Sequence, residues 1–217
     1  HPFLTDDEGK GFSKRMGSLS IENFKNEGFE SITLLNYFLF IGSSNNIQPI
    51  SELPDIINKF NIKNISKSSA KFSKESLVAL NKNTIKLFNF HQIKDKLINL
   101  SEGLHKEKFW RFVKNNITYL REVNDWEKII TENKNHKDFK IDDNFINIAA
   151  NELPNDPYDE HTWDIWTSKI RDKSGLKGKD LFMPLRLILT GKPHGPELKY
   201  LIPLFDKNGI LQKLGKI

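Results

Sequence analysis

Ser73-Lys74-Glu75-Ser76-Leu77-Val78-Ala79-Leu80-Asn81-Lys82-Asn83-Thr84-Ile85-Lys86-Leu87-Phe88 carries the punctuation of a helix. Ser73 can accept from an N–H that the first turn leaves unpaired, Glu75 favours the positive end of the helix dipole, and Leu77, Leu80, Ile85 and Phe88 recur at helical intervals. A helix to about residue 88 is predicted. The same grammar recurs along the chain. Ile32, Leu35, Tyr37, Phe38 and Ile41 cover one broad side of a helix ending at Gly42, and its near-continuous hydrophobicity predicts deep burial. Phe109, Trp110, Phe112, Val113 and Ile117 follow, then Leu120, Val123, Trp126 and Ile130. Asp142 or Asp143 can cap a helix through Phe145, Ile146, Ala149 and Ala150 that stops by Pro154. Thr162 opens another with Trp163, Trp166 and Ile170, and Gly175 supplies a left-handed stop. Leu181 to Leu189 is closed by Gly191; Pro184 within it removes the bond to the Asp180 carbonyl and predicts a kink. Pro196 suits the first turn of a helix carrying Leu198, Leu201, Ile202, Leu204 and Phe205. Only His1 to Thr5 reads as β-like, before the turn-forming Asp6-Asp7-Glu8-Gly9, and there is no internal repeat. The expected fold is all-α: a multi-helical bundle or cage with a short β-like N-terminal piece.

The 217 residues suffice for one large domain or two to three small ones, and a chain of this size buries about two-thirds of its unfolded surface. With no Cys, disulfide scaffolds, thiolate metal sites and cysteine nucleophiles are excluded, in keeping with a reducing compartment. No run approaches the roughly 20 apolar residues of a membrane span, so a soluble protein without a membrane partner is expected. The net charge of +5 comes from 33 basic and 28 acidic residues. Its distribution says more: −4 over 1–58, +9 over 59–114, +1 over 115–121, −8 over 122–168 and +7 over 169–217. Two basic blocks flanking an acidic one suit either solvated faces or two footprints on one polyanion.

Gly9-Lys10-Gly11-Phe12-Ser13-Lys14-Arg15-Met16-Gly17-Ser18 is the most suggestive local run, because glycines give it mobility and its Ser, Lys and Arg can donate to phosphate oxygens. It lacks P-loop spacing. A solvent-exposed turn is the plainer alternative. The six His residues show no metal-ligand spacing, so no metal site is expected. Asp142-Asp143 and Asp159-Glu160 stand at predicted helix starts, where capping explains them better than catalysis, and Trp163 and Trp166 suit the core better than base stacking.

The Gly9 to Arg15 run, followed by Gly17-Ser18-Leu19-Ser20-Ile21, Gly28-Phe29 and Leu34-Leu35-Asn36-Tyr37, resembles the second ATP signature of class I glutamyl-tRNA synthetases and the helix after it. Phe72 to Leu77 with Leu80-Asn81 resembles the family's stem-contact helix. Gly178-Lys179-Asp180-Leu181-Phe182-Met183-Pro184-Leu185-Arg186 and Leu189-Thr190-Gly191-Lys192-Pro193-His194-Gly195-Pro196-Glu197-Leu198 resemble the closing signature of the bacterial type, whose anticodon-binding region is helical. The matches are in order and run to about residue 214. Two positions depart from the pattern: Gly11 stands where the signature usually has Lys, and Met16 where His is common.

The resemblance implies a stem-contact domain over 1–90 and two helical anticodon-binding subdomains, 91–150 and 151–217. It implies the tRNA-binding part of a cytoplasmic, monomeric glutamate–tRNA ligase, which joins glutamate to tRNA through a glutamyl-adenylate with ATP and Mg²⁺. Ser13, Lys14 and Arg15 would be the ATP-binding and catalytic side chains, Lys14 foremost, and Lys179 and Arg186 the anticodon-region contacts. Arg186 could equally pair with a carboxylate inside its helix. The partner would be glutamate tRNA, with glutamine tRNA as a second substrate left open. The family's nucleotide-binding fold lies upstream of the matched region, so these 217 residues alone are expected to be inactive and to hold no cofactor stably. The alternative is a non-enzymatic helical RNA-binding or assembly module derived from the same fold.

Overall fold

The computed structural model describes residues 3–6, 9–11, 20–101, 104–132 and 139–217, which form two compact units. The first takes residues 1–95 with 117–123, and the second takes 96–116 with 124–217. The described residues are predominantly helical, with a single two-stranded sheet.

In the first unit, β1 (Leu4–Thr5) runs parallel to β2 (Ala70–Lys71), with Leu4 opposite Ala70 and Thr5 opposite Lys71. The second strand corrects the expectation of no strand beyond residue 5; two residues are too few for an alternating pattern to register. The helices are α1 (Ile21–Glu27), α2 (Ser31–Phe40), α3 (Leu53–Lys59), α4 (Lys74–Leu87) and α5 (Phe90–Ile93). At the start of α4 the Ser73 hydroxyl oxygen accepts the Ser76 N–H at 3.1 Å. Glu75 is held below the usual carboxylate range by its own backbone N–H and by the Ser73 hydroxyl.

The core joins Phe24, Phe29, Leu34, Tyr37, Phe72, Leu77 and Leu80. The face that α2 buries differs from the expected one. Thr33, Leu34, Asn36, Tyr37 and Phe40 are buried, whereas Leu35 is 49% exposed and Phe38 38%. Ten residues with apolar side chains nearly all round carry too little periodicity to tell the inner face from the outer.

Buried polar groups fix this unit's geometry. The Tyr37 hydroxyl accepts the Ser73 N–H at 2.9 Å and donates to the Ser73 carbonyl at 3.2 Å, so α2 holds the cap of α4. Asn81, fully buried, accepts the Glu30 N–H at 3.0 Å and donates to the Thr118 carbonyl at 2.6 Å. That second bond fastens the 117–123 excursion to α4. Gly28 ends α1 at φ +93°, with its Cα facing Tyr119 and Arg121, where a left-handed backbone in a close contact suits glycine.

The second unit contains α6 (Lys106–Val113), most of α7 (Val123–Thr131), α8 (Asp143–Asn151), α9 (Thr162–Ser174), α10 (Lys179–Thr190), α11 (Leu198–Leu201) and α12 (Lys207–Lys213). Of the two candidate caps for α8, Asp142 is the one used, its carboxylate accepting the Asn144 N–H at 3.2 Å. The Asp159 carboxylate accepts from the N–H groups of His161 and Thr162 and from the Thr162 hydroxyl, each at 2.9 Å, and starts α9 as a capping acid. These bonds, the Thr162 hydroxyl's first, hold Asp159 below the usual carboxylate range.

Trp166 is fully buried, and its Nε1–H donates to the Ala149 carbonyl at 2.8 Å. Gly175 and Gly191 close α9 and α10 in the left-handed region, and α10 continues through Pro184. Pro196 corrects the reading of the last helices. It precedes the cap residue Glu197, so it lies outside α11, which is short and passes into a 3₁₀ turn, Ile202–Leu204.

Candidate nucleic-acid interface

A cleft of about 810 Å³ opens in the second unit. One wall comes from α6 and the turn after it, through Lys108, Arg111, Phe112, Asn115 and Asn116; another is Tyr158-Asp159-Glu160; the third is Gly195-Pro196-Glu197 with Tyr200, Pro203 and Leu204. Amphipathicity of α6 explains the first wall. Phe109, Trp110, Phe112 and Val113 are buried, which turns Lys108 and Arg111 outward. Arg111 is 74% exposed at its side chain and touches Glu107 one turn back at 2.6 Å, a surface pair of small worth that an incoming anion can compete for. Phe112 is fixed edge-on to Trp126 at 5.5 Å. The cleft thus offers the Phe112 ring, cations on the α6 wall, carboxylates of Asp159, Glu160 and Glu197 on the other two, and amide and hydroxyl groups of Asn115, Asn116, Tyr158 and Tyr200. Stacking surface, phosphate-binding cations and donors and acceptors for base edges suit an unpaired nucleotide.

Arg186 braces the third wall from behind. Its Nη2 donates to the Pro196 carbonyl at 2.9 Å, so it pairs with a backbone oxygen and not with a carboxylate. Nη1 is buried with no hydrogen-bond partner, and burial lowers the guanidinium pKa. A Cβ at Gly195 would stand 3.0 Å from the Trp126 ring and 3.4 Å from Arg186 Nη1, which is why the loop passes there as glycine. Lys192 lies 4.9 Å above the Trp126 ring. On the outer side, Glu197 and Tyr200 raise the Lys199 pKa, the Tyr200 hydroxyl foremost; Lys199 sits 3.2 Å from the Glu197 carboxylate and 4.7 Å from the Tyr200 ring. Lys179 is exposed on the first turn of α10, away from the residues that line the cleft.

Ser13, Lys14 and Arg15 lie outside the described residues. Both flanks of their segment are described. Asp6 accepts the Lys10 N–H at its side chain (2.8 Å) and the Gly9 N–H at its carbonyl (3.0 Å), Gly9 has φ +82°, and Gly11 pairs antiparallel with Thr5. Ser20 caps α1 by accepting the Asn23 N–H at 3.1 Å. Gly11 thus lies against β1, and Ser20 opens a helix. Among the described residues, no three His, Cys, Asp or Glu side chains are grouped to hold a metal ion, and no helix is long and apolar enough to cross a membrane.

A sequence profile described as "Anticodon binding domain" matches residues 107–217, just over half the chain and all three walls of the cleft. The chain belongs to the anticodon binding domain family. This anticodon binding domain continues into a longer similarity. A glutamate–tRNA ligase of Bartonella tribocorum is 38% identical over 210 residues, covering 96% of this chain and 46% of that protein. One of Mesorhizobium japonicum is 38% identical over 216 residues, covering 98% of this chain and 47% of that protein. The chain thus spans about half the length of the curated relatives it matches. A crystal structure of a glutamate tRNA ligase from Elizabethkingia meningosepticum superposes with TM-score 0.76 over 99% of this chain and 49% of that one, at 19% identity, which shows a shared fold.

Sequence reasoning missed most of the cleft. Lys108, Arg111, Asn115 and Tyr158 belong to no motif, and only the helical period of α6, which leaves 108 and 111 on the polar side, pointed toward them.

Proposed function

We propose that this chain is the tRNA-binding part of a glutamate–tRNA ligase, with the second unit holding the anticodon loop and the first lying along the tRNA stem. The observation that carries this reading is the 38% identity to such ligases over 96–98% of the chain. The cleft suits the role chemically. Unpaired bases can enter it to be stacked and read at their edges, while Lys108 and Arg111 meet phosphates. Arg186 acts as a positioning residue, holding the Gly195-Pro196 backbone against which a base would lie. The tRNA-binding region divides into a stem-contact part over 1–90 and anticodon parts over 91–150 and 151–217.

In the intact enzyme the α-carboxylate of glutamate attacks the α-phosphate of ATP and magnesium pyrophosphate leaves. Negative charge builds on the departing oxygens, and Lys14 is the cation assigned to it, with Ser13 and Arg15 as further donors. Removing one such preorganised donor costs about 10²–10³ in rate. Lys14→Ala in the full-length protein is therefore expected to slow adenylate formation, measured by pyrophosphate exchange, by about that factor, with tRNA affinity unchanged. Equal exchange rates would remove Lys14 from the mechanism.

The decisive experiment is aminoacylation by the full-length protein with purified glutamate and glutamine tRNAs. Charging of either with glutamate supports the ligase reading. Charging of neither, with tRNA still bound, supports the non-enzymatic RNA-binding alternative.

A further inference from the structure

Beside the cleft, α10 presents a second group of side chains within the second unit. Lys179, Phe182 and Arg186 stand at i, i+3 and i+7 and so share one stripe of the helix. Lys179 is exposed at one end, Phe182 keeps 42% of its surface open, and Arg186 at the other end holds the Pro196 carbonyl that helps line the cleft. A lone exposed Phe is unremarkable; the support behind this one is not. The Phe182 ring lies 6.0 Å from Trp163 at an interplanar angle of 32°, and Trp163 meets Trp166 edge-on at 6.1 Å. Trp166 in turn is fully buried and tied to the Ala149 carbonyl. Three rings in series, anchored at the inner end, fix the orientation of the outer one.

Charge selects the occupant. Between 169 and 180 the chain carries Lys169, Arg171, Lys173, Lys177 and Lys179 against Asp172 and Asp180. Arg171 stands 3.9 Å from Asp172, but the segment keeps a net charge of +3, which an apolar protein ridge covering Phe182 would leave uncompensated. A nucleotide supplies both a flat apolar face and an anionic phosphate. We propose that Phe182 is a stacking platform for an unpaired base of the RNA that enters the cleft, with Lys179 on a neighbouring phosphate. This rests on the RNA-binding reading above and extends it to a site outside the cleft. Stacking tolerates any base, so the platform adds affinity without reading identity.

The test is fluorescence anisotropy of the chain with a labelled glutamate tRNA transcript across a salt series. Phe182→Ala is expected to weaken binding on the order of 10-fold with the salt slope unchanged, because a stacking contact releases no counterion. Phe182→Leu, which keeps apolar packing against Trp163 without a π face, should weaken it similarly, and Phe182→Trp should bind as the parent does. Lys179→Ala should reduce the salt slope by about one. Single abasic substitutions in the anticodon loop should locate one position whose loss weakens the parent but not Phe182→Ala. If Phe182→Ala and Phe182→Leu bind within twofold of the parent while Arg111→Ala weakens binding, the cleft reading stands and the platform is wrong. If the Phe182 variants instead abolish self-association, the surface is a protein contact and the platform is wrong. If the parent chain binds no tRNA, the RNA-binding reading itself fails.

Discussion

Both units tie buried polar side chains to backbone, but in the second one such bond, from Arg186, braces the wall of a cleft. In the first, Tyr37 and Asn81 spend their hydrogen bonds on backbone inside the core, and Leu34, Asn36 and Leu80 beside them are buried too. In the second, Arg186 carries its polar group to the edge of a cleft, leaves Nη1 unpartnered, and braces a loop. The Tyr37 and Asn81 bonds specify the first unit's geometry, while the Thr33, Asn36 and Thr84 side-chain oxygens there are buried without a partner. The cleft of the second presents Lys108 and Arg111 at the surface.

All four Trp residues, 110, 126, 163 and 166, lie in the second unit, which makes the comparison measurable. The largest effect is expected from Trp166→Ala, which removes a fully buried ring and should cost about 3–5 kcal/mol, read as an earlier urea transition in Trp fluorescence. Asn81→Leu should cost about 3 kcal/mol, because the Glu30 N–H and the Thr118 carbonyl both lose their partner. If the two units unfold separately, that loss moves the far-UV circular dichroism transition and leaves the Trp fluorescence transition in place; coincident shifts would mean a single cooperative body. Tyr37→Phe, which strips both groups of Ser73, should cost about 1–2 kcal/mol by the same readout. Arg111→Ala should leave both transitions unmoved while lowering tRNA affinity and reducing its salt slope by about one. A change in stability would place Arg111 in the architecture.

The smallest effect concerns pH. Asp159 titrates below its ordinary value in the folded state, so its contribution is present above the unfolded carboxylate pKa and is lost as pH falls from there through the lowered folded value. Asp159→Asn should flatten that acid limb of the fluorescence-monitored stability, and an unchanged limb would show that the Thr162 contacts do not favour the ionised form.

Much of the fold was legible because its signals are local. Ser73, Gly175 and Gly191 end helices through chemistry confined to one turn, and the 3.6-residue period of α6 and α9 names its own buried face. On α2 Tyr37 was placed correctly, but Leu35 and Phe38 were misread as buried because they are the same residue types as the buried Leu34 and Phe40. Strand β2 and the placement of Pro196 failed for a related reason: two-residue strands and four-residue helices are defined by their neighbours and not by periodicity.

The sequence by itself determined the helical class, the caps, the chemical character of the run around Lys14 and, by resemblance, the family. Those depend on contacts within a few residues or on ordered motifs. Only the tertiary structure decided that Asn81 fastens Thr118, that Arg186 holds Pro196 and that Lys108, Tyr158 and Tyr200 line one cleft. Such pairings join residues 10 to more than 90 positions apart, and packing, which the one-dimensional pattern does not encode, chooses among all the partners that distance allows.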